Sequence, residues 1–317
     1  MTKTNNARVH AAARGHRAQR TGRAGGFLAV LAAAVIFATG GCGKKPQQTL
    51  TVHIGGTMRP ALKELAKLYE QKTGQKIEIN SAGSGELLAY IESHKKGDLY
   101  VCHDPFLDIL MQRGLGKDGW TMAELTPVIV VQKGNPKGIT DLKTATAPDV
   151  TLVLTDPEKS TLGWMLPTIF EKAGVVKKPG SDKPGITFAE LLKRPKVSTF
   201  RQGGAAATKV GTKNADAAIV WNAVAYLRRD MLDVVPIRPE HLPTRGKETV
   251  TTATQKIYPL IPVRVTVATL KCSTQPEAAK KFAEFLTTEQ ATEVFKQFGF
   301  TPPQQPGLEY KDGRKQR

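Results

Sequence analysis

What this 317-residue sequence lacks narrows its function before any motif is read. Only 6% of its residues are aromatic, and its 46 Lys and Arg are scattered along the chain rather than gathered with aromatics on one segment. A nucleic-acid surface is therefore not expected, despite a formal net charge of +18. Three cysteines, none in C-x-x-C spacing, do not make a disulfide scaffold or a thiolate metal site. G-x-S-x-G, G-x-x-x-x-G-K-[ST] and H-E-x-x-H are all absent, and the histidines are widely spaced, so the sequence does not read as an enzyme. It has no low-complexity tract or internal repeat that would indicate a solenoid or coiled coil.

Acidic residues are missing altogether from residues 1–41, where Lys3, Arg8, Arg14, Arg17, Arg20 and Arg23 precede an apolar run at 27–37 too short to span a bilayer. This is the layout of an export signal. The run ends in Ala38-Thr39-Gly40-Gly41-Cys42, small residues directly before a cysteine as in a lipobox, with Thr39 where Leu is usual. Lipid attachment at Cys42 is the expectation, with residues 42–48 as the tether; ordinary secretory cleavage with Cys42 a bystander is the alternative. Cleavage removes six basic residues and no acidic one, leaving +12, a field that gathers small anions and favours anionic membrane surfaces. Cys102 and Cys272 lie in apolar, strand-like settings and read as buried free thiols, with no support for a disulfide between them. About 270 residues remain, enough for two medium lobes.

Hydrophobic periodicity gives alternating strands and helices. Residues 50–54 alternate as a strand, and 60–70 place Ala61, Leu62, Leu65, Leu68 and Tyr69 on one helical stripe. Residues 76–79 repeat the strand signal, Gly83-Ser84-Gly85 reads as a turn, and Leu87, Leu88 and Ile91 share one face of the next helix. A strand at 98–102, a helix at 105–113 and a continuous apolar run at 128–132 follow, the last suited to a buried parallel strand. The middle repeats the pattern with strands at 151–154 and 217–221 and helices at 163–173 and 205–210. Residues 176–185 and 239–248, rich in Pro, Gly and Lys, read as surface loops. A β-branched strand at 261–270 precedes helices at 276–286 and 289–298, with Gly299 as a C-terminal cap, and 302–317 read as a loose tail. The fold class is α/β.

Two turns carry the strongest chemical signal, Gly55-Gly56-Thr57-Met58 and Ala82-Gly83-Ser84-Gly85, each between a strand and a helix. Glycines admit close approach, a hydroxyl donates a hydrogen bond, and a helix start offers free amides with a favourable dipole, so two such ends facing one cleft can hold a small anion. Plain N-capping by Thr57 and Ser84 is the competing reading. Asp156-Pro157-Glu158 with Ser160-Thr161-Leu162-Gly163, and Arg201-Gln202-Gly203-Gly204, offer further helix starts, and Trp221 ends a strand at the edge where α/β sheets place ligands. In Cys102-His103-Asp104, adjacent strand residues point to opposite faces, so no chelate is expected, and Asp104 reads as the cap of a strand-to-helix corner.

In order and spacing these segments resemble the periplasmic molybdate-binding proteins over residues 50–302. The likeness rests on Leu50-Thr51-Val52 with Thr57, the 62–74 helix and turn, residues 84–91, Gly97-Asp98-Leu99, 130–136, Thr155-Asp156-Pro157-Glu158, Ala218-Ile219-Val220-Trp221 and 289–300. The resemblance implies a two-lobed type II periplasmic-binding-protein fold with a hinge and a ligand cleft between the lobes. Lobe 1 would hold 49–127 and 257–317, lobe 2 would hold 128–256, and the hinge would lie near Pro127 and Tyr258.

It also implies an extracytoplasmic solute-binding lipoprotein of an ABC transporter, capturing molybdate, tungstate or a related tetrahedral oxyanion. No cofactor or cationic metal is implied; the expected partners are the anion, a permease and, through the lipid, the membrane, with the chain a monomer. At the family's ligand positions stand Thr57, Ser84, Leu162, Gly203 and Trp221, the first two offering hydroxyls, the next two backbone amides. Trp221 replaces a tyrosine, and Glu86 brings a negative charge close to Ser84. Sulfate or another anion on the same fold, or a surface sensor or partner-binding lipoprotein, are the alternatives these departures leave open.

Overall fold

The computed structural model describes residues 48–244, 247–251, 257–260, 263–304 and 306–316; the expected export signal and the expected lipid site at Cys42 lie outside the described residues. The chain opens with β1 (Leu50–Gly55), α1 (Arg59–Thr73), β2 (Ile77–Ala82), α2 (Ser84–His94), β3 (Leu99–His103), α3 (Phe106–Gln112) and β4 (Gly116–Leu125). It continues with β5 (Pro127–Gln132), α4 (Leu142–Ala145), β6 (Leu152–Thr155), α5 (Thr161–Lys172), α6 (Phe188–Leu192), β7 (Val197–Phe200), α7 (Gly203–Gly211), β8 (Ala217–Trp221), α8 (Asn222–Tyr226) and β9 (Leu232–Pro236). An antiparallel pair, β10 (Glu248–Thr251) and β11 (Ile257–Leu260), leads to β12 (Val263–Leu270), α9 (Pro276–Phe285), α10 (Glu289–Gln297), β13 (Gly307–Lys311) and β14 (Arg314–Lys315).

These strands form two larger sheets. One has seven strands in the order β14-β13-β4-β12-β3-β1-β2, the other five in the order β7-β6-β8-β5-β9. Thr126 alone separates the last residue of β4 from the first of β5, so the chain passes from one sheet to the other in a single step. It returns after β11, at the start of β12.

Helical periodicity locates the faces that cover the sheets. Ala61, Leu62, Leu65, Ala66 and Tyr69 are the buried residues of α1, and Pro60 sits in its first turn, where a missing N–H is harmless. Tyr69 packs against Phe282 and Phe285 of α9, with ring centroids 4.9 and 5.0 Å apart. Leu87, Leu88 and Ile91 of α2 bury toward β1 and β3. Thr288 caps α10 by accepting from the Ala291 N–H, and Gly299 follows that helix at φ 80°. Both remaining cysteines are free, Cys102 buried and Cys272 half-buried.

Four sequence expectations are corrected. β5 is buried as its apolar run requires, but both its neighbours, β8 and β9, run antiparallel to it. The ten-residue β4 falls in a segment assigned no strand, where Gly116 and Gly119 mimic turn signals; both glycines let Leu107, Leu110 and Met111 of α3 lie close over the strand.

Residues 302–317 are not a loose tail, because β13 and β14 extend the larger sheet and Tyr310 is buried, its hydroxyl donating to Asp108 Oδ1 at 2.6 Å. Asp104 does not cap α3, whose start has no side-chain cap. Its carboxylate accepts instead from the Arg264 backbone N–H at 2.8 Å and from the guanidinium Nε and Nη2 at 2.9 and 2.6 Å. Arg264, 4% exposed, also pairs with Asp108 of α3 and Glu309 of β13, so one buried cation serves three carboxylates.

Candidate functional site

The first two turns meet at Gly55, the last residue of β1. A Cβ there would lie 2.6 Å from Ser84 Oγ and 2.7 Å from Met58 Cε, so only glycine lets the backbone approach this closely. Gly56–Met58 form a single 3-10 turn that carries half-buried Thr57 directly into α1. Neither Thr57 nor Ser84 is an N-cap, which sets aside the capping reading. The N-cap of α2 is Gly83 and Ser84 is the first helical residue, so the helix begins earlier than the turn read from Gly83-Ser84-Gly85.

Ser84 is 6% exposed, and its hydroxyl has no hydrogen-bond partner. A buried hydroxyl left unpaired destabilises a fold by about 1–3 kcal/mol, so this one is either a defect or a group held for a ligand. Its position is fixed from below, where the fully buried Tyr100 donates its phenol to the Ser84 carbonyl at 2.6 Å. Sequence reasoning missed Tyr100 because it sits in a strand that reads as core. Its position, sixteen residues from Ser84, gives no local signal.

Helix starts near this point are left open. The N-cap residues of α2, α7 and α8 make no side-chain cap, though Glu86 reaches back to the Gly83 N–H of α2; α9 is uncapped too, whereas α4, α6 and α10 are capped by Asp141, Thr187 and Thr288. Ser160 caps α5 by accepting from the Gly163 N–H at 2.9 Å, which leaves Leu162 as an uncapped second residue, 1% exposed. Gly203 is the first residue of α7. Trp221, 7% exposed, ends β8 and precedes α8.

Contacts tie these positions to the first sheet. The Glu86 carboxylate, on the first turn of α2, accepts from the Gly83 N–H at 3.2 Å and forms an ion pair with Arg201, two residues before Gly203. The charge that looked unfavourable beside Ser84 is thereby matched. Trp221 lies 6.4 Å, ring centroid to centroid, from His103 at the end of β3; His103 contacts Phe106 at 5.8 Å, and Phe106 abuts Gly85. Burial lowers the His103 pKa, while its Nδ1 lies 2.9 Å from the Asp104 carbonyl. Thr161 and Trp164 of α5 share with Asp104, Pro105 and Tyr258 a small cavity of about 10 Å³, room for one water molecule.

All five sequence-selected residues sit in turns, at helix starts or at strand ends, and the cross-sheet contacts near them are Glu86 with Arg201 and Trp221 with His103. A wider concavity of about 570 Å³ lies against α4 and α6 and contains none of them. Of the polar residues lining it, Arg194 donates to the Thr146 carbonyl and the Thr144 N–H to Asp141, and Lys143 stands beside them. Among the described residues no cluster of His, Cys, Asp or Glu could hold a metal ion, and no helix is long and apolar enough to cross a membrane.

The sequence profile of the bacterial extracellular solute-binding proteins matches residues 50–301. The chain belongs to this family. A Haemophilus influenzae relative, provisionally named a binding protein, is 24% identical to this solute-binding protein over 80% of this chain and 91% of its own. Among solved structures, the sulfate-binding protein SubI of Mycobacterium tuberculosis superposes with a TM-score of 0.60 at 20% identity, covering 81% of this chain and 88% of its own. The periplasmic molybdate-binding protein of Azotobacter vinelandii gives 0.56 at 17% identity over 80% of this chain and all of its own. At these identities the likeness is one of fold, and it is the two-sheet α/β periplasmic-binding-protein fold expected from the sequence.

Proposed function

We propose that this extracellular solute-binding protein captures a tetrahedral oxyanion, molybdate or tungstate in the first instance, between its two sheets. The observation that carries the reading is the buried, unpartnered Ser84 hydroxyl beside Gly55 at the first residue of α2. A doubly charged anion there would receive charge-assisted hydrogen bonds from Thr57 and Ser84 on one side, from the Leu162 and Gly203 amides on the other, and from the Trp221 indole N–H. Donors of this kind replace hydration without a cationic metal, and the helix dipoles add to them.

In this reading residues 49–127 with 257–317 and residues 128–256 are lobes that close about the crossings near Pro127 and Tyr258. Closure is favoured because both lobes touch the anion. The chain would be tethered by lipid at Cys42, act as a monomer, and deliver its ligand to an ABC permease.

Thermal unfolding of the full chain against molybdate, tungstate, sulfate and phosphate tests it, since a ligand that binds only the folded state raises the midpoint. Molybdate and tungstate should raise it in the wild type and much less in Ser84→Ala. A rise with sulfate alone would keep the site and change the substrate. No rise with any anion would overturn the oxyanion reading.

A further inference from the structure

A second buried hydroxyl has no partner. Thr155 is the last residue of β6, 2% exposed, and its Oγ1 makes no hydrogen bond. The rest of its strand, Leu152-Val153-Leu154, is apolar and fully packed. Valine would fit the same β-branched shape without an unpaired polar atom, so packing alone gives no reason for a hydroxyl here.

Its neighbours are already committed. The Asp156 N–H donates to the Phe200 carbonyl at 2.9 Å, Asp156 Oδ1 accepts from the Glu158 N–H at 2.8 Å, and the Asp156 carbonyl accepts from Ser160 N–H and Oγ, both at 3.1 Å. Thr155 also stands between the two amide-bearing turns of the second sheet. On one side, a Cβ added to Gly163 would fall 2.0 Å from the Asp156 carbonyl oxygen, so the first turn of α5 is pressed against the residue that follows Thr155. On the other, a Cβ on Gly203 would lie 3.9 Å from Thr155 Cγ2.

We propose that Thr155 is a further ligand-contacting residue, its hydroxyl facing Ser84's across the cleft and donating to an oxygen of the bound anion between the Leu162 and Gly203 amides. This rests on the oxyanion reading above. It gives the second lobe a side-chain donor in addition to its amides, and places it at the carboxyl end of a strand, where open α/β sheets bind ligands. Without ligand the hydroxyl is a net burden on the fold; with ligand it is satisfied.

Two substitutions in the full chain separate this role from a structural one, read by calorimetric titration with molybdate and, in parallel, sulfate, and by the ligand-free unfolding midpoint. Thr155→Val removes the hydroxyl and keeps the shape. It should weaken binding about 10- to 100-fold, the range of a hydrogen bond to a charged group, while leaving the midpoint unchanged or raised. Thr155→Ser keeps the hydroxyl and loses the methyl, so its affinity should stay within about threefold of wild type while its midpoint falls. Wild-type affinity in Thr155→Val overturns the inference and leaves the oxyanion reading standing. Binding by neither anion in the wild type, with Ser84 intact, overturns that reading and this inference with it.

Discussion

The Glu86 carboxylate on α2 and the Arg201 guanidinium before α7 form an ion pair that joins the helix start carrying Ser84 to the one carrying Gly203. Both side chains are more than half exposed, 53% and 62%, so the pair contributes little to stability. Its effect is on the local charge an anion meets.

Replacing Arg201 with alanine exposes the anion to an unmatched Glu86. Affinity should fall by about threefold at low ionic strength, with the loss shrinking as salt is added, and stability should change by less than about 1 kcal/mol. Glu86→Gln should move affinity the other way. Titrations at two salt concentrations check both.

The first turn of α5 has no room for a side chain at position 163. A Cβ there would meet backbone rather than a movable side-chain tip, at 2.0 Å from the Asp156 carbonyl oxygen and 2.8 Å from Pro157 Cα. Gly163→Ala should destabilise the fold by about 2–3 kcal/mol, as overpacking does, and weaken ligand binding by displacing Leu162. Chemical denaturation measures the first effect and titration the second.

Arg264 neutralises Asp104, Asp108 and Glu309 from a side chain only 5% exposed. Burial raises the pKa of Asp104, and the Arg264 hydrogen bonds oppose that rise. Arg264→Met removes the buried cation, leaving only the exposed Lys315 beside Asp108, and strands the Asp104 carboxylate, at a cost of about 3–5 kcal/mol. Replacing Arg264 and Asp104 together by apolar residues should recover part of that loss, which a double-mutant cycle would quantify.

His53 makes the chain acid-sensitive. It is 2% exposed, its Nε2 donates to the Lys96 carbonyl at 3.0 Å, and its Nδ1 is buried without a partner. Burial lowers its pKa, more than the Lys96 carbonyl and the Asp98 and Glu78 charges raise it. The unfolded chain therefore takes up this proton first as pH falls. The stability His53 contributes is fully present above the unfolded value near 6.5 and is lost as pH drops below it. Unfolding midpoints at pH 7.5 and 5.0 should differ, and the difference should narrow in His53→Phe.

Much of this was legible in the sequence because burial writes a period. Of the stripe Ala61, Leu62, Leu65, Leu68 and Tyr69, all but the half-buried Leu68 are buried, as are Leu87, Leu88 and Ile91. Direction is not written that way. Val128, Ile129, Val130 and Val131 are buried in a five-stranded sheet whether their neighbours run with them or against, and the antiparallel sense comes from pairing with β8 and β9, which lie far along the chain.

The C-terminal strands were missed because their polar residues are matched at long range. Glu309 meets Thr121 and Arg264, partners that no local pattern reveals. At the site, the Gly-Ser and Gly-Thr turns could be recognised, but the unpaired state of the Ser84 and Thr155 hydroxyls is a property of packing alone.

The most direct test of the central claim is a crystal structure of the full chain grown with tungstate, with anomalous scattering used to place the metal atom. The account predicts a single strong peak between the two sheets, its oxygens within hydrogen-bond reach of Ser84 Oγ and the Gly203 N–H. A peak elsewhere, or none at an anion concentration that saturates binding, would contradict it.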